Sequence, residues 1–452
     1  MIYFVTGGVS PIGRFLLPRL LERGGTVYML VAEDALDELS RMRALIEEDA
    51  GELIPVVGDL GKIRLGVSQR IQGQLKHKLD HFFHLATDFD FGVDGRLQSR
   101  NNIAGVRRAL GLAESLHAGC FHLLSSVAAV GRFAGLADDD TDASSAGIAY
   151  HENYLNAERL VRASTLRWRI YRPGVVVGDS LDGFISQPGG PYYFFELLRA
   201  LGASLPGWGR GVIPQGGELN LVPVDYVAEA MEHLAHLRQG DGECFLLTHS
   251  EGTHVGQVVR LLLGLAGGPR LSVWPGRLPL PGGLLSAAAP GGPGYALMER
   301  LLAPFGVPVE ALELAASPTR YDNSRSQQLL ESAAIQCPEF DDYAEVVWRY
   351  WMDQFGSTNL RAAFGARLLD ALAGRRNPRA LARWARGRVV VIGGAGPGIA
   401  RECAAKLGRA GATLILTGTS KRRLRSEADR LLRDGVRPRF YVCDPADRKA
   451  CD

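Results

Sequence analysis

The sequence predicts an α/β protein built on a doubly wound parallel sheet, with a smaller subdomain after it and a second, partial unit of the same kind at the C-terminus. Three observations predict this. Short β-branched and aromatic runs alternate with stretches of helical period, the spacing of right-handed βαβ units. The chain opens on a strand that passes through glycine straight into a helix, Ile2-Tyr3-Phe4-Val5-Thr6-Gly7-Gly8-Val9-Ser10-Pro11-Ile12-Gly13. The same strand, glycine turn and helix return at Val389-Val390-Val391-Ile392-Gly393-Gly394-Ala395-Gly396-Pro397-Gly398. The expected fold class is therefore Rossmann-like.

A strand that turns sharply into a helix leaves the first N–H groups of that helix unpaired, with the positive end of the dipole behind them. That is a seat for a pyrophosphate. Gly7, Gly8, Ser10, Ile12 and Gly13 make up the candidate cradle. Serine stands where the middle of three glycines is expected, and it narrows the approach of backbone to phosphate. Taken alone, such a turn also suits any tight strand-to-helix connection.

Thr26 to Val31 reads as a second strand, followed by Ala32-Glu33-Asp34. Acids at that place suit a ribose 2′-OH and lean to NAD(H), with Arg14 the nearby cation for a 2′-phosphate. Leu53 to Val57 is a third strand, ending in Gly58-Asp59-Leu60. Phe82 to Thr87 is a fourth, followed by helical material with Asn101 and Asn102. Cys120 to Leu124 is a fifth and runs into Ser125-Ser126. A parallel sheet of this kind holds its ligand at the C-terminal ends of the strands.

From Leu181 to about Tyr321 the composition shifts toward glycine, proline and aromatics. Pro191 to Phe195 reads either as the lining of an acyl pocket or as core. The apolar, proline-broken stretch from Pro279 to Ala289 reads as a lid or linker before a membrane-surface contact. Residues 336–387 carry amphipathic helices, and their basic faces are expected to be solvated. In the last unit Gly394, Gly396 and Gly398 form the cradle, Lys421 and Arg422 suit a 2′-phosphate, and a strand from Arg439 to Val442 ends at Cys443-Asp444. With the sequence ending at Asp452, a cradle without catalytic apparatus and with one sheet edge uncovered is expected there, through truncation, pairing with another chain or poor order. The expected organisation is a first domain over 1–335 (1–180 mainly for the dinucleotide, 181–335 mainly for a substrate), a helical linker over 336–387 and a truncated second domain over 388–452.

The 452 residues are 46% hydrophobic and 22% charged, with a net charge of +2. Nothing in that balance calls for nucleic acid or an anionic membrane as partner. Six cysteines without a C-x-x-C pair suggest neither a metal site nor a disulfide framework, and a reducing cytoplasm is expected. The first strand begins within two residues, so no leader is expected, and no apolar run is long enough to span a bilayer. Lysine is confined to Lys62, Lys76, Lys78, Lys406, Lys421 and Lys449, so that 79–405 offers arginine but no lysine.

Thr6-Gly7-Gly8 with Ile12-Gly13, Gly58-Asp59-Leu60, His84-Leu85-Ala86, Ser125-Ser126 and Tyr150 stand in an order that resembles the extended short-chain dehydrogenase/reductase family. Tyr171-Arg172-Pro173-Gly174-Val175, Gly190 to Phe195 and Asn220 to Val227 are similar to its bacterial fatty acyl-CoA reductase branch. The resemblance implies an NAD(H)- or NADP(H)-dependent oxidoreductase acting on a small-molecule acyl thioester or aldehyde, with homo-oligomerisation left open. It implies cofactor contacts from the cradle and from Asp59, Leu60, Leu85, Ala86, Thr87, Pro173, Gly174 and Val175. It makes Tyr150 the acid, Ser126 the hydroxyl that orients the carbonyl, and Asn102 a support.

A tyrosine acts as an acid near neutral pH only when a cation lowers its pKa. Relatives place a lysine four residues after the tyrosine; here that position is Tyr154, either an exposed residue or a repurposed ligand contact. Losing the lysine costs roughly 10²- to 10⁴-fold in rate. With Ser10 for glycine and Ala32 where relatives often carry a phosphate-binding arginine, three departures gather at one site. They leave open a non-catalytic, nucleotide-binding scaffold that keeps the reductase fold.

Overall fold

The computed structural model describes residues 1–32, 51–86, 95–131, 133, 135–141, 149–186, 188–274, 302, 307, 319–356, 388–393, 399–409, 411–433, 436 and 438–443, with the backbone alone at 95–102, 149–150, 399–402 and 423. The chain divides into two units, 1–368 and 369–452.

The first unit begins with β1 (Ile2–Thr6), α1 (Pro11–Glu22), β2 (Thr26–Val31), β3 (Leu53–Val57), α2 (Gln69–Leu75), β4 (His81–His84) and α3 (Gly95–Leu116). Then come β5 (Cys120–Leu124), a 3-10 turn (Val127–Val130), β6 (Gly135–Ala137), α4 (Ala149–Arg162), β7 (Trp168–Pro173) and β8 (Val175–Val177). The substrate-side portion adds α5 (Tyr193–Ser204), β9 (Arg210–Pro214), β10 (Glu218–Leu219), β11 (Leu221–Pro223), α6 (Val224–Ala235), β12 (Glu243–Leu247), β13 (Thr253–His254), α7 (Val255–Leu265) and β14 (Arg270–Trp274). The unit closes with β15 (Thr319–Tyr321), α8 (Ser324–Glu331) and α9 (Phe340–Gln354).

Seven strands form one sheet in the order β12-β7-β5-β4-β1-β2-β3, and every pair in it is parallel. A parallel sheet covered on both faces needs strands that are apolar on both sides, which is why β1 and β5 read as unbroken hydrophobic runs. Tyr3 and Val5 of β1 point to one face, where Leu16, Leu17 and Leu20 of α1 meet Val227, Met231 and Leu234 of α6. Phe4 points to the other, against Val106 and Ala113 of α3 and Val161 of α4. Across the strands on that face Phe4, Phe82 and Phe121 stack with ring centroids 4.9 and 5.3 Å apart. Each such pair adds about 0.5–1.5 kcal/mol beyond its burial.

A further core lies outside the sheet, where Phe195 of α5 and Leu262 of α7 pack on Tyr343, Val347, Trp348 and Trp351 of α9. Phe195 sits 5.3 and 5.5 Å from the two indole rings. Of the two readings of Pro191 to Phe195, core packing is therefore the one the structure bears out for Tyr192 and Phe195, both buried. Helix α9, which falls in the stretch read as a linker, is part of the core of the first unit.

The second unit has β16 (Val389–Gly393), α10 (Ile399–Arg409), β17 (Thr413–Gly418), α11 (Lys421–Arg433) and β18 (Arg439–Val442). Its three strands are parallel, in the order β16-β17-β18. Ala404, Leu414, Leu416, Leu424 and Leu431 form its core. Gly394, Gly396, Gly398 and Asp444 lie outside the described residues, as do 357–387 and the stretch from Pro279 to Ala289. Among the described residues no helix is long and apolar enough to cross a membrane, and no His, Cys, Asp or Glu cluster suits a metal ion.

Candidate functional site

Parallel pairing sets the C-terminal ends of β1, β4, β5 and β7 along one edge of the sheet, and the candidate residues sit there. At the end of β1, Gly7 turns with φ +73°, and a Cβ on it would stand 2.6 Å from the Ala86 backbone nitrogen. Only glycine fits both the conformation and the contact. A Cβ on Gly13 would lie 2.6 Å from the carbonyl oxygens of Gly7 and Gly8. The two glycines thus let the turn, the end of β4 and the start of α1 close on one another.

Ser10 has a role that the sequence reading did not assign. It is the N-cap of α1, its backbone extended (φ −63°, ψ 162°) and its Oγ accepting the Gly13 N–H at 3.1 Å. A serine cap of this kind is worth about 1 kcal/mol relative to alanine. The first turn of α1 holds no acidic side chain, so no carboxylate of its own competes with an anion at the positive end of the dipole. The closed glycine turn and acid-free helix start fit a dinucleotide phosphate. Arg14 turns its Nε to the Val9 carbonyl at 3.2 Å. Leu85 is buried, and its N–H bonds the Thr6 carbonyl at 3.0 Å. Asp59 is exposed and accepts the Gly61 N–H at 2.7 Å, while the Leu60 carbonyl receives Arg108 at 3.1 Å. Glu33, Asp34 and Thr87 lie outside the described residues.

Ser126 follows β5 and caps the 3-10 turn, its Oγ accepting the Ala128 N–H at 3.1 Å. His151, in the first turn of α4, donates from Nδ1 to the Ala128 carbonyl at 2.7 Å. That bond brings together the two segments that carry Ser126 and Tyr150. The Tyr150 backbone is helical; its side chain, like that of Asn102, lies outside the described residues.

Tyr154 is 4% exposed and packs on Ala128 and Ala129. Of its two readings, the exposed residue is corrected, because the ring fills the seam between α4 and the 3-10 turn. Arg172 does not replace the missing lysine cation. Its Nε and Nη2 reach Glu158 at 2.9 and 2.7 Å, both side chains are nearly inaccessible, and the guanidinium is neutralised there. Ser125 Oγ donates to the same carboxylate at 2.5 Å.

On the substrate side, Gly174 follows β7 closely packed on Asn220: its Cβ would stand 2.4 Å from the Asn220 carbonyl. The Val175 N–H bonds that same carbonyl at 2.7 Å, so Pro173, Gly174 and Val175 are held at the edge where the other candidates lie.

Sequence reasoning missed Glu158, and quoted Thr6, His84 and Ser125 as motif residues without giving them a role. His84 Nδ1 and Thr6 Oγ1 are 2.7 Å apart beneath the cradle, and burial pushes the His84 imidazole down to about 4. Polar residues at the ends of apolar strands were the signal available for them.

Comparison with known proteins bears directly on this arrangement. The NAD-binding family described as male sterility protein matches residues 5–231, half of the chain. The chain belongs to that family. As a male sterility-type NAD-binding domain it shares the fold of extended short-chain dehydrogenase/reductases. It is 29% identical over 250 residues to the PKS-NRPS hybrid synthetase acdB of Aspergillus candidus, a match covering 52% of this chain and 10% of that protein. It is also 29% identical over 262 residues to the L-2-aminoadipate reductase large subunit of Penicillium chrysogenum, covering 50% and 18%. The chain thus spans less than a fifth of either relative. Among solved structures, the terminal R domain of the myxalamid PKS-NRPS pathway matches with a TM-score of 0.61 at 23% identity, over 79% of this chain and 92% of that one. That likeness is one of fold.

Proposed function

We propose that the first unit is an NAD(P)(H)-dependent reductase of acyl thioesters or the derived aldehydes. The observation that carries the reading is the bond from His151 to the Ala128 carbonyl, which seats the first turn of α4 beside Ser126 on the sheet edge where the Gly7 turn lies. The relative named as an L-2-aminoadipate reductase supports a reductase.

The cradle of Gly7, Gly8, Ser10, Ile12 and Gly13 holds the pyrophosphate, and Leu85, Ala86, Pro173, Gly174 and Val175 flank the rest of the dinucleotide. Asn102 and Thr87 complete the set by motif. A bound reduced nicotinamide supplies a hydride. Ser126 donates a hydrogen bond to the carbonyl oxygen of the substrate, and Tyr150 gives a proton to the oxygen as negative charge develops there. The acids after β2 favour NADH. In the second unit, Gly394, Gly396, Gly398 and Asp444 would hold a second nucleotide. The reductase domain of this reading takes in α9 and so runs past 335, and the second domain covers 388–452.

One observation favours a second reading, a nucleotide-binding scaffold. Tyr154 is buried at the position of the lysine, and the Arg172 charge is taken up by Glu158. The test titrates NADH and NADPH by fluorescence and then assays decanal and an acyl-CoA. Turnover that Tyr150→Phe abolishes supports the reductase. Tight binding without turnover, and no gain on Tyr154→Lys, supports the scaffold.

A further inference from the structure

We propose that Ser125, Glu158 and Arg172 form a positioning unit that fixes the distance between the Ser126 turn and the first turn of α4; its catalytic consequence rests on the reductase reading above. The unit gathers four segments on one buried carboxylate. Glu158 Oε1 accepts from Ser125 Oγ at 2.5 Å and from Arg172 Nε at 2.9 Å, and Oε2 accepts from Arg172 Nη2 at 2.7 Å. Arg162 approaches Oε2 at 3.9 Å from the helix surface. Arg172 Nη1 spends its remaining donors on the carbonyls of Asp139 and Thr141, at 3.3 and 3.5 Å.

Each member stands next to a candidate site residue. Ser125 precedes Ser126, and its N–H is tied to the Tyr171 carbonyl at 2.7 Å. Glu158 lies one turn beyond Tyr154 and two beyond Tyr150, on the same side of α4. Arg172 precedes Pro173 and Gly174. Asp139 and Thr141 lie on the chain that leads into α4, where the Asp139 carboxylate also accepts the Leu246 N–H at 3.0 Å. A shift in any one segment therefore moves the others with it.

Stability alone does not account for such an arrangement. Taking a carboxylate and a guanidinium out of water is offset only when geometry is good, and apolar pairs of similar volume often do as well. What the charged triad supplies and an apolar one does not is direction. Three charge-assisted bonds to one carboxylate fix rotation as well as separation. Placement matters for proton and hydride chemistry, because a 1 Å error costs on the order of 10²-fold in rate.

The test uses the full chain with Ser125→Ala, which removes one bond, and Glu158→Gln, which keeps the shape and removes the charge. Two measurements run in parallel: steady-state reduction of decanal with NADH and NADPH, and amide hydrogen exchange across 126–131 and 149–156. The proposal expects Ser125→Ala to lower kcat roughly 10- to 100-fold with KM and NADH affinity unchanged. It also expects exchange to quicken at those two stretches and not elsewhere in the sheet. If kcat is unchanged, or falls only together with a uniform rise in exchange, the unit is merely structural and the proposal fails. If the wild-type chain turns over no substrate, the reductase reading fails by itself, and exchange still decides the positioning unit: local quickening supports it, and uniform or absent change overturns it. Should Glu158→Gln not fold, Ser125→Ala carries both measurements.

Discussion

Acid should unfold this protein along a steep limb set by three histidines in the main sheet. His84 and His122 are fully buried and His81 partly so. They are held as neutral rings: His81 Nδ1 lies 2.9 Å from His122 Nε2, His122 Nδ1 lies 2.9 Å from the Tyr171 hydroxyl, and His84 bonds Thr6. Burial pushes His81 and His84 down to about 4 and His122 well below its ordinary value, with His236, Arg167 and Arg169 adding repulsion around His81 and Asp80 opposing it. In the unfolded chain each titrates near 6.5, so below that pH the unfolded state binds protons that the folded state refuses. Stability is complete above pH 6.5 and is lost as pH falls toward 4. His81 and His84 each forfeit about 2 kcal/mol between pH 7 and 5, and His122 adds a loss of the same sign. Asp139, pushed up to about 6 by burial, counts the other way, since its folded form keeps a proton that the unfolded form has lost. It returns about 1 kcal/mol, so the histidines outweigh it and the net change is a loss. Urea titrations of the full chain at half-unit steps from pH 7.5 to 5, followed by tryptophan fluorescence, measure this directly. His122→Phe, whose ring would keep the stack 4.3 Å from Phe83, should make the loss smaller. A wild-type stability that stays flat between pH 7 and 5 would refute the assignment of neutral buried rings.

Gly7→Ala should weaken NADH binding at least tenfold, since the new Cβ meets the Ala86 backbone at 2.6 Å in a left-handed conformation; unchanged affinity in a fluorescence titration would move the cradle elsewhere. Ser10→Ala should cost about 1 kcal/mol through loss of the α1 cap, and Ser10→Gly only a few tenths, read as shifts of the urea midpoint. For the buried pair, Glu158→Leu should cost about 3–5 kcal/mol by stranding Arg172, while adding Arg172→Met should restore most of it. A double-mutant cycle showing simple additivity would contradict that coupling. Tyr154→Lys should lower thermal stability, because a charge replaces a ring that is 4% exposed. If the reductase reading holds, the same change raises turnover about tenfold or more.

The fold was legible in the sequence wherever an apolar run is unbroken, whether the strand is fully buried like β5 or mostly exposed like β18. β2, β3, β5 and β18 begin and end where their apolar runs do. β7 was not legible as a strand. Arg169 and Arg172 interrupt its hydrophobic run, and only the structure shows that Asp241 and Glu158 neutralise them inside the sheet. At the site, glycine spacing located the cradle, because glycine reports a demand of the backbone itself. The capping role of Ser10 was not legible, since capping and phosphate contact both call for a small polar residue at a helix start. Tyr154 could not be placed from sequence, because a helix tyrosine suits a solvated face and a packed seam equally well. Glu158 escaped notice for a related reason: its two partners come from strands that are distant along the chain.

Strand β15 pairs with β6 from nearly two hundred positions away. The Thr319 hydroxyl bonds the Phe133 carbonyl at 2.7 Å, Asn323 reaches the Thr248 carbonyl at 2.5 Å, and Arg325 holds Glu243 with two contacts of 3.0 Å. α8 and α9 then bury apolar side chains in two separate cores. These joints would outlast a nick in the backbone. A polypeptide ending near residue 274 and a second beginning near residue 319 should recombine when co-expressed, which offers a complementation pair for reporting on assembly of this unit in cells.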